Sequence, residues 1–296
     1  MTLLDPETIN QAEALGLQAR TIVEGFMSGN HASPFRGFSI EFSQHREYTA
    51  GDDTRHLDWK VLGRTDRYYI KQYEQETNYV AHVLVDGSES MSFKSAKVPL
   101  SKFDYARIMS ACLCYLILRQ RDAVALNLFD GEVRVHIPRT GNLASVHPIM
   151  SSLAAFQPVR GTNIPAVLHQ IAHTQRRRGI VLLISDLLDH EDAILDGMRH
   201  LRFVGHEVIV FHTLDHQELD FNFAGAVEFE GLEAAGKITA RPFAIRASYL
   251  RQMQQFRDRL REGCERDNAH YVLVDTSHPL HEVLSGYLAF RHRIHR

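Results

Sequence analysis

Residues 80–91 place oxygen-bearing side chains directly after a largely apolar run. The run at positions 80–85 predicts a strand that is covered on both faces, as in a parallel sheet. Asp86, Ser88 and Ser90 follow at once, and ligands of open α/β sheets bind at the carboxyl ends of strands. One carboxylate and two hydroxyls are hard oxygen donors, which suit Mg²⁺. The same Asp-x-Ser-x-Ser pattern is also typical of an ordinary turn, because these side chains bond nearby backbone groups.

Two later loops offer the same kind of donor. Thr162 lies in a Gly-Thr-Asn turn, and Asp186 follows the apolar strand predicted at residues 180–184. The carboxyl ends of parallel strands meet at one edge of a sheet, so all three loops can lie together there. The three loops together could therefore hold magnesium, or another divalent cation, and the interpretation as turns stays open.

The composition is that of an ordinary globular protein, with 296 residues, 44% hydrophobic and 23% charged. Its net charge of -3 supplies no broad attraction for nucleic acid or acidic membranes. No apolar run approaches the length needed to span a bilayer, and the amino terminus lacks the pattern of a secretory signal. Three cysteines without the paired spacing of a zinc site indicate buried thiols. We expect a cytoplasmic location.

Three kinds of enzyme fit the polar loop poorly. An aspartyl phosphotransferase would carry a second aspartate at the position of Ser88. The Gly-x-Ser-x-Gly turn of a hydrolase is also not formed, because Gly87-Ser88-Glu89 continues with Ser90 and Met91. A P-loop is also missing from the sequence. Magnesium without a nearby base is more easily a binding device than a catalyst. A magnesium-dependent hydrolase or phosphoryl-transfer enzyme, and a scaffold with a degenerate site, stay open as alternatives.

The order of elements predicts an α/β fold in two parts. Residues 79–296 alternate strands and helices, which indicates a doubly wound, mostly parallel sheet with helices on both faces, and a β-hairpin insertion is expected near residues 226–242. Residues 1–78 comprise an N-terminal helix and a charged lead segment. A strand at residues 68–73 is expected to feed the main sheet.

The charged lead segment, residues 38–78, is dense in ionic and aromatic side chains. Opposite charges this close usually form a solvated or salt-bridged network. They could also brace the metal edge, join the lead segment to the sheet, or form a second interaction surface. The residues concerned are Arg46, Asp52, Asp53, Arg55, Asp58 and Trp59.

Three motifs together carry a resemblance to a known site. Asp-Gly-Ser-Glu-Ser at 86–90, Gly-Thr-Asn at 161–163 and Leu-Leu-Ile-Ser-Asp at 182–186 resemble the metal-ion-dependent adhesion site of von Willebrand factor A domains. The resemblance implies direct coordination by both serines and direct or water-mediated coordination by the other residues. It also implies a free position for an acidic residue of a protein partner. The implied metal residues are Asp86, Ser88, Ser90, Thr162 and Asp186.

A second block of motifs narrows the resemblance. The sequence is similar to the bacterial von Willebrand A-like (Rossmann-like) family catalogued as domain of unknown function fifty-eight. This similarity implies a non-enzymatic, magnesium-dependent protein–protein interaction module. It further implies an adaptor that works with a MoxR-type AAA+ ATPase in the assembly or maturation of protein complexes. The block comprises Arg46-Glu47-Tyr48, Gly51-Asp52-Asp53, Arg55, Asp58-Trp59-Lys60, Arg64, Tyr73, Glu74 and Glu76.

Overall fold

The computed structural model describes residues 6–27, 41–49, 58–65, 67–74, 80–159, 161–175, 177–223, 227–230, 237–240 and 242–294. It divides into two compact units, residues 1–34 with 80–296 and residues 35–79. In chain order the elements are α1 (Pro6–Met27), β1 (Glu41–Glu47), α2 (Trp59–Thr65), β2 (Tyr69–Glu74), β3 (Val80–Asp86), α3 (Lys102–Arg119), β4 (Ala123–Phe129), β5 (Val133–Thr140), α4 (Val146–Ala155), α5 (Ile164–Thr174), β6 (Gly179–Ser185), α6 (Glu191–Phe203), β7 (Glu207–Leu214), α7 (His216–Asp220), β8 (Val227–Glu230), β9 (Lys237–Ala240), α8 (Pro242–Arg266), β10 (His270–Asp275) and α9 (Leu280–Ile294). Short 3-10 turns cover Glu89–Ser92 and Leu143–Ser145.

The larger unit is built on a six-stranded sheet in the order β10-β7-β6-β3-β4-β5. Neighbouring strands run parallel except β4 and β5, which are antiparallel at one edge. Strands β3, β4 and β6 are buried at every position, which is why their sequences are nearly continuous apolar runs. The predicted α/β fold with a doubly wound, mostly parallel sheet is confirmed.

Helices cover both faces of this sheet. On one face α1, α3 and α4 pack together, and α3 lies against β3. On the other face α5, α6 and α8 enclose an apolar cluster that includes Leu84, Leu183 and Val210 from three adjacent strands. Because successive side chains of a strand point to opposite faces, each central strand contributes to both layers of core.

Helix α1 belongs to the larger unit. Leu15, Ala19 and Val23 recur at helical spacing and are buried, and α1 packs against α3 and α4. The sequence-based division after residue 78 instead placed this helix with the charged lead segment. Helical periodicity shows which face is apolar but does not show what covers it.

The smaller unit contains β1, α2 and β2. Strands β1 and β2 pair with each other in antiparallel register, so the prediction that residues 68–73 join the main sheet is wrong. A run of apolar and aromatic residues predicts a strand but does not identify its partner. In the larger unit, β8 and β9 form an antiparallel pair, and these strands make up the hairpin expected near residues 226–242.

Candidate metal-binding site

The candidate site lies at the carboxyl ends of β3 and β6. These strands are parallel neighbours, and strand order reverses between them, since β4 follows on one side and β7 on the other. Such a switch point opens a crevice in which α/β proteins bind ligands. Asp86 ends β3 and Ser185 ends β6, and the Ser185 hydroxyl donates to Asp86 Oδ2 at 2.6 Å. This bond ties the two strand ends together.

The loop after β3 folds back on its own carboxylate. The backbone N–H of Ser88 donates to Asp86 Oδ1 at 2.9 Å. The hydroxyl oxygens of Ser88 and Ser90 lie 3.1 Å apart, and both residues are buried. Adjacent ligands of an octahedral magnesium ion, bound at about 2.1 Å, are separated by about 3 Å. The two serine hydroxyls therefore have the spacing of one edge of such an octahedron.

Gly87 lets a second loop approach the first. A Cβ atom at this position would meet the Phe156 ring at 2.1 Å, so no other residue fits without movement of that ring. Phe156 directly follows α4 and begins the connection to the Thr162 loop. The packing of an aromatic ring on a glycine thus brings that connection to the Asp86 loop.

Hydrogen bonds hold the Thr162 loop at the same sheet edge. The N–H of Asn163 donates to the carbonyl of Asp130, beyond the end of β4, at 3.2 Å. The N–H of Ile164 donates to Asp189 Oδ2, beyond the end of β6, at 3.0 Å. Thr162 Oγ1 is buried and finds no hydrogen-bond partner within the described ranges. An unsatisfied buried hydroxyl calls for an explanation, and a bound ion is one.

Asp186 pairs with an ammonium group that the sequence analysis did not single out. Lys102 Nζ donates to Asp186 Oδ2 at 2.8 Å and to Glu218 Oε1 at 2.9 Å. Lys102 is 1% exposed and Asp186 is fully buried. Asp186 Oδ1 accepts the N–H of Leu188 at 3.3 Å. One oxygen of Asp186 is therefore bonded to a cation that belongs to the chain itself.

Burial and charge separate the two aspartates. Burial, and then the nearby charge of Asp186, raises the pKa of Asp86 to about 7 against its hydrogen bonds from Ser185 and Ser88. Burial also raises the pKa of Asp186, but Lys102 outweighs it and holds that pKa below its usual value. Burial lowers the pKa of Lys102, but the negative charges of Asp186 and Glu218 raise it by more than burial lowers it. The pKa of Lys102 therefore lies above its ordinary value. Asp186 and Lys102 therefore form an ion pair at neutral pH.

The residue after Asp186 adopts an unusual backbone conformation. Leu187 has φ of 56°, in the left-handed region that costs a residue with a Cβ about 1 kcal/mol or more. Its side chain is buried in the core, and its N–H donates to the Ser185 hydroxyl at 2.9 Å. Burial and this bond hold Leu187 in that conformation.

The structure brings some of the predicted site residues together and leaves others in the smaller unit. Five of them meet at one sheet edge, namely Asp86, Ser88, Ser90, Thr162 and Asp186. Their donors, a pair of hydroxyls at octahedral spacing, an unpartnered hydroxyl and two carboxylates, fit a magnesium ion. Lys102 and Glu218 were missed, because a lysine 84 residues before Asp186 in the chain leaves no local signal.

The residues of the possible second interaction surface lie in the smaller unit. Asp52, Asp53 and Arg55 are outside the described residues, and Arg46 lies in β1 opposite Ile70. Asp58 is buried, and its Oδ1 accepts the Val61 N–H at 3.2 Å, so it caps α2. The adjacent Trp59 is 67% exposed.

Comparisons with known proteins agree with the family resemblance. A family model described as "Protein of unknown function DUF58" matches residues 44–259. An uncharacterized protein of Mycobacterium tuberculosis H37Rv is 25% identical over 247 residues, which cover 81% of this chain and 75% of that protein.

Solved structures with a similar fold are more distant. An aerotolerance-related membrane protein from Bacteroides fragilis has 18% identity and a TM-score of 0.46, covering 72% of this chain and 100% of that chain. The VWA domain of SpRpn10 has 14% identity and a TM-score of 0.40, covering 70% of this chain and 93% of that chain.

The predicted cytoplasmic location requires correction. It is contradicted by the description of the Bacteroides fragilis structure as a membrane protein. The prediction rested on the lack of an apolar segment, on the lack of a secretory signal pattern and on the cysteine pattern, and none of these shows where a protein is located. In the described ranges, none of the helices has the length and apolar character of a membrane span.

The family assignment rests on the family model, which matches well over half of the chain, from β1 into α8. The matched residues include the motif block at residues 46–76 and the three loops of the candidate site. The chain belongs to the DUF58 family.

Proposed function

We propose that this chain is a non-enzymatic, magnesium-dependent module for protein–protein interaction. The observation that carries the proposal is the pair of buried hydroxyls, Ser88 and Ser90, 3.1 Å apart beside Asp86. In this proposal Mg²⁺ takes these hydroxyls, Thr162, and the carboxylates of Asp86 and Asp186, directly or through water. A coordination position then remains for a carboxylate from another protein.

The unpartnered Thr162 hydroxyl supports this assignment. A buried hydroxyl without a hydrogen bond costs about 1–3 kcal/mol, and a metal ligand is a reason for keeping it. Catalysis is not part of the proposal. Asp86 accepts hydrogen bonds from Ser88 and Ser185. Lys102 donates to two carboxylates. Both groups are therefore engaged in hydrogen bonds and are not available to take a proton from a substrate.

The partner that we propose is a MoxR-type AAA+ ATPase, with this chain as its adaptor in assembling or maturing other complexes. The family and the von Willebrand A-like fold point in general terms to an interaction module. Both the partner class and the acidic residue that would complete the metal site are what the family resemblance implies.

The test compares two threonine variants of the 296-residue chain. Thr162→Val removes the proposed ligand, whereas Thr276→Val removes another buried hydroxyl that has no partner in the described part of the chain. A purified MoxR-type ATPase from the same organism is captured on each immobilised protein, with Mg²⁺ or with chelator. We expect the wild type and Thr276→Val to retain the ATPase only with Mg²⁺, and Thr162→Val to retain it roughly tenfold more weakly.

The variants decide the outcome at a constant magnesium concentration, because the ATPase uses Mg²⁺ with its own nucleotide. Equal retention by Thr162→Val and the wild type would contradict the metal assignment. Retention that ignores both magnesium and substitution would contradict metal-dependent binding altogether.

A further inference from the structure

The candidate site contains its own buried cation. Lys102 is the first residue of α3, and Ser101 caps that helix by accepting the Asp104 N–H at 3.0 Å. The lysine side chain is 1% exposed, and Nζ lies 2.8 Å from Asp186 Oδ2 and 2.9 Å from Glu218 Oε1. A buried ammonium group is tolerated only when it is paired and hydrogen-bonded. Asp186 and Glu218 supply that pairing.

Glu218 is itself fixed, so it holds Lys102 in this position. The second oxygen of Glu218 accepts the N–H of Asp215 at 2.8 Å and completes the capping box of α7. Asp215 in turn accepts the N–H of Ser95 at 2.9 Å, from the connection between β3 and α3. These bonds fix Glu218 at the amino-terminal end of α7. Glu218 in turn keeps the ammonium group of Lys102 beside Asp186.

In this arrangement Lys102 and a metal ion would compete for the carboxylate of Asp186. A divalent ion at the carboxylates would lie close to a fixed positive charge, and the repulsion between them is strong in a buried site. A metal that takes Asp186 Oδ2 must also displace Lys102 from it. We propose that Lys102 is a built-in cation that competes with Mg²⁺ for Asp186 and lowers the magnesium affinity of the site. This inference rests on the proposed function, since it concerns the same metal.

The test is magnesium binding to the full chain, measured by titration calorimetry with MgCl₂. Lys102→Met removes the charge and keeps an unbranched apolar side chain, whereas Lys102→Arg keeps the charge as the matched control. We expect Lys102→Met to bind Mg²⁺ about tenfold or more tightly than the wild type, and Lys102→Arg to bind no more tightly. The melting temperature of Lys102→Met should also rise more on adding Mg²⁺, because a ligand stabilises the state that binds it.

Two further variants keep the proposal testable if Lys102→Met does not fold. The double variant Lys102→Met/Glu218→Gln removes one charge of each sign, and it should also bind Mg²⁺ more tightly than the wild type. Glu218→Gln alone leaves Lys102 with Asp186 as its only carboxylate, and it should bind Mg²⁺ more weakly.

The outcomes separate this inference from the proposed function. If the wild type binds Mg²⁺ and removal of the Lys102 charge leaves the affinity equal or lower, the competition is refuted and the proposed function stands. If neither the wild type nor the charge-removing variants bind Mg²⁺, both are refuted. Binding by Lys102→Met alone would support the competition and remove magnesium dependence from the wild type.

Discussion

Asp86 and Asp186 are both buried, but their surroundings favour different protonation states. Asp186 faces the ammonium group of Lys102, which stabilises its charged form. Asp86 faces neutral donors, Ser88 and Ser185, and burial raises its pKa to about 7. Near neutral pH, Asp86 rather than Asp186 is therefore the aspartate that is partly protonated.

The raised pKa of Asp86 predicts a pH-dependent stability. Its pKa rises from an unfolded value of about 3.9 to about 7 in the folded chain, so the folded state binds the extra proton between these values. Stability from this group is thus present at low pH and is lost as the pH rises from about 4 to 7, by at most about 1.4 kcal/mol per pH unit. Asp186 acts oppositely, because its lowered pKa contributes stability that is lost only as the pH falls below about 4.

The measurement is urea unfolding of the wild type and Asp86→Asn between pH 4.5 and 7.5, with chelator present. The quantity to compare is the difference in unfolding free energy between the two proteins, because buried histidines change the stability of both with pH. Burial lowers the pKa of His82 to about 4 and of His212 to about 3, so these two groups raise stability with pH in both proteins. We expect Asp86→Asn to gain stability relative to the wild type as the pH rises, and a constant difference would contradict the assigned pKa.

At the scale of elements, the site depends on how closely two loops approach. The Asp86 loop comes from β3, whereas the Thr162 loop lies between α4 and α5. The Phe156 ring occupies the space that a side chain at position 87 would need. It also packs on Phe103 of α3, with ring centroids 5.7 Å apart. Gly87 therefore sets the distance between the loops, and its role is steric.

Gly87→Ala tests that role. The added methyl must displace Phe156, so we expect the free energy of unfolding to fall by about 1–3 kcal/mol and magnesium affinity to fall with it. Gly286→Ala is the matched control, because Gly286 lies within α9 with no atom within 4 Å of an added Cβ. It should stabilise the chain by about 0.5–1 kcal/mol. Urea unfolding and calorimetry measure both effects, and a Gly87→Ala variant as stable as the wild type would refute the steric role.

At the scale of the whole molecule, the larger unit draws on both ends of the chain. Helix α1 precedes the charged lead segment in sequence, and yet it packs on α3 and α4 and contacts α9. The Cys112 thiol of α3 lies 4.0 Å from the carbonyl oxygen of Ala19. The apolar face of α1 is therefore part of the same core that supports β3.

Leu15→Ala tests the contribution of α1 to the whole fold. Leu15 is 6% exposed, and truncating a buried leucine costs about 2–5 kcal/mol. Leu17→Ala, on the opposite side of the helix at 68% exposure, should change stability by no more than about 0.5 kcal/mol. Chemical unfolding followed by circular dichroism checks both. Equal effects of the two substitutions would mean that α1 does not pack as described.

Local patterns in the sequence were enough to predict the sheet, and they were enough to name the residues of the proposed site. Buried strands are recognisable as apolar runs, and the residues that end β3 and β6 are adjacent to those runs in the chain. The hairpin β8–β9 was predictable for the same reason, since its strands are neighbours in sequence. Asp86, Ser88 and Ser90 form one short motif, which is why a single stretch could indicate a metal site.

Contacts between distant residues were decided only by the tertiary structure. Lys102 is 84 residues from Asp186 in the sequence and 116 residues from Glu218. No periodic pattern in the sequence predicts pairs that are so far apart. The pairing of β2 with β1 and the packing of α1 against α3 and α4 are of the same kind. A local pattern specifies which face of an element must be buried, whereas the partner that buries it depends on how the whole chain packs. The sequence alone therefore supplied the proposed donors, and only the folded chain determined that a buried cation, Lys102, lies beside Asp186.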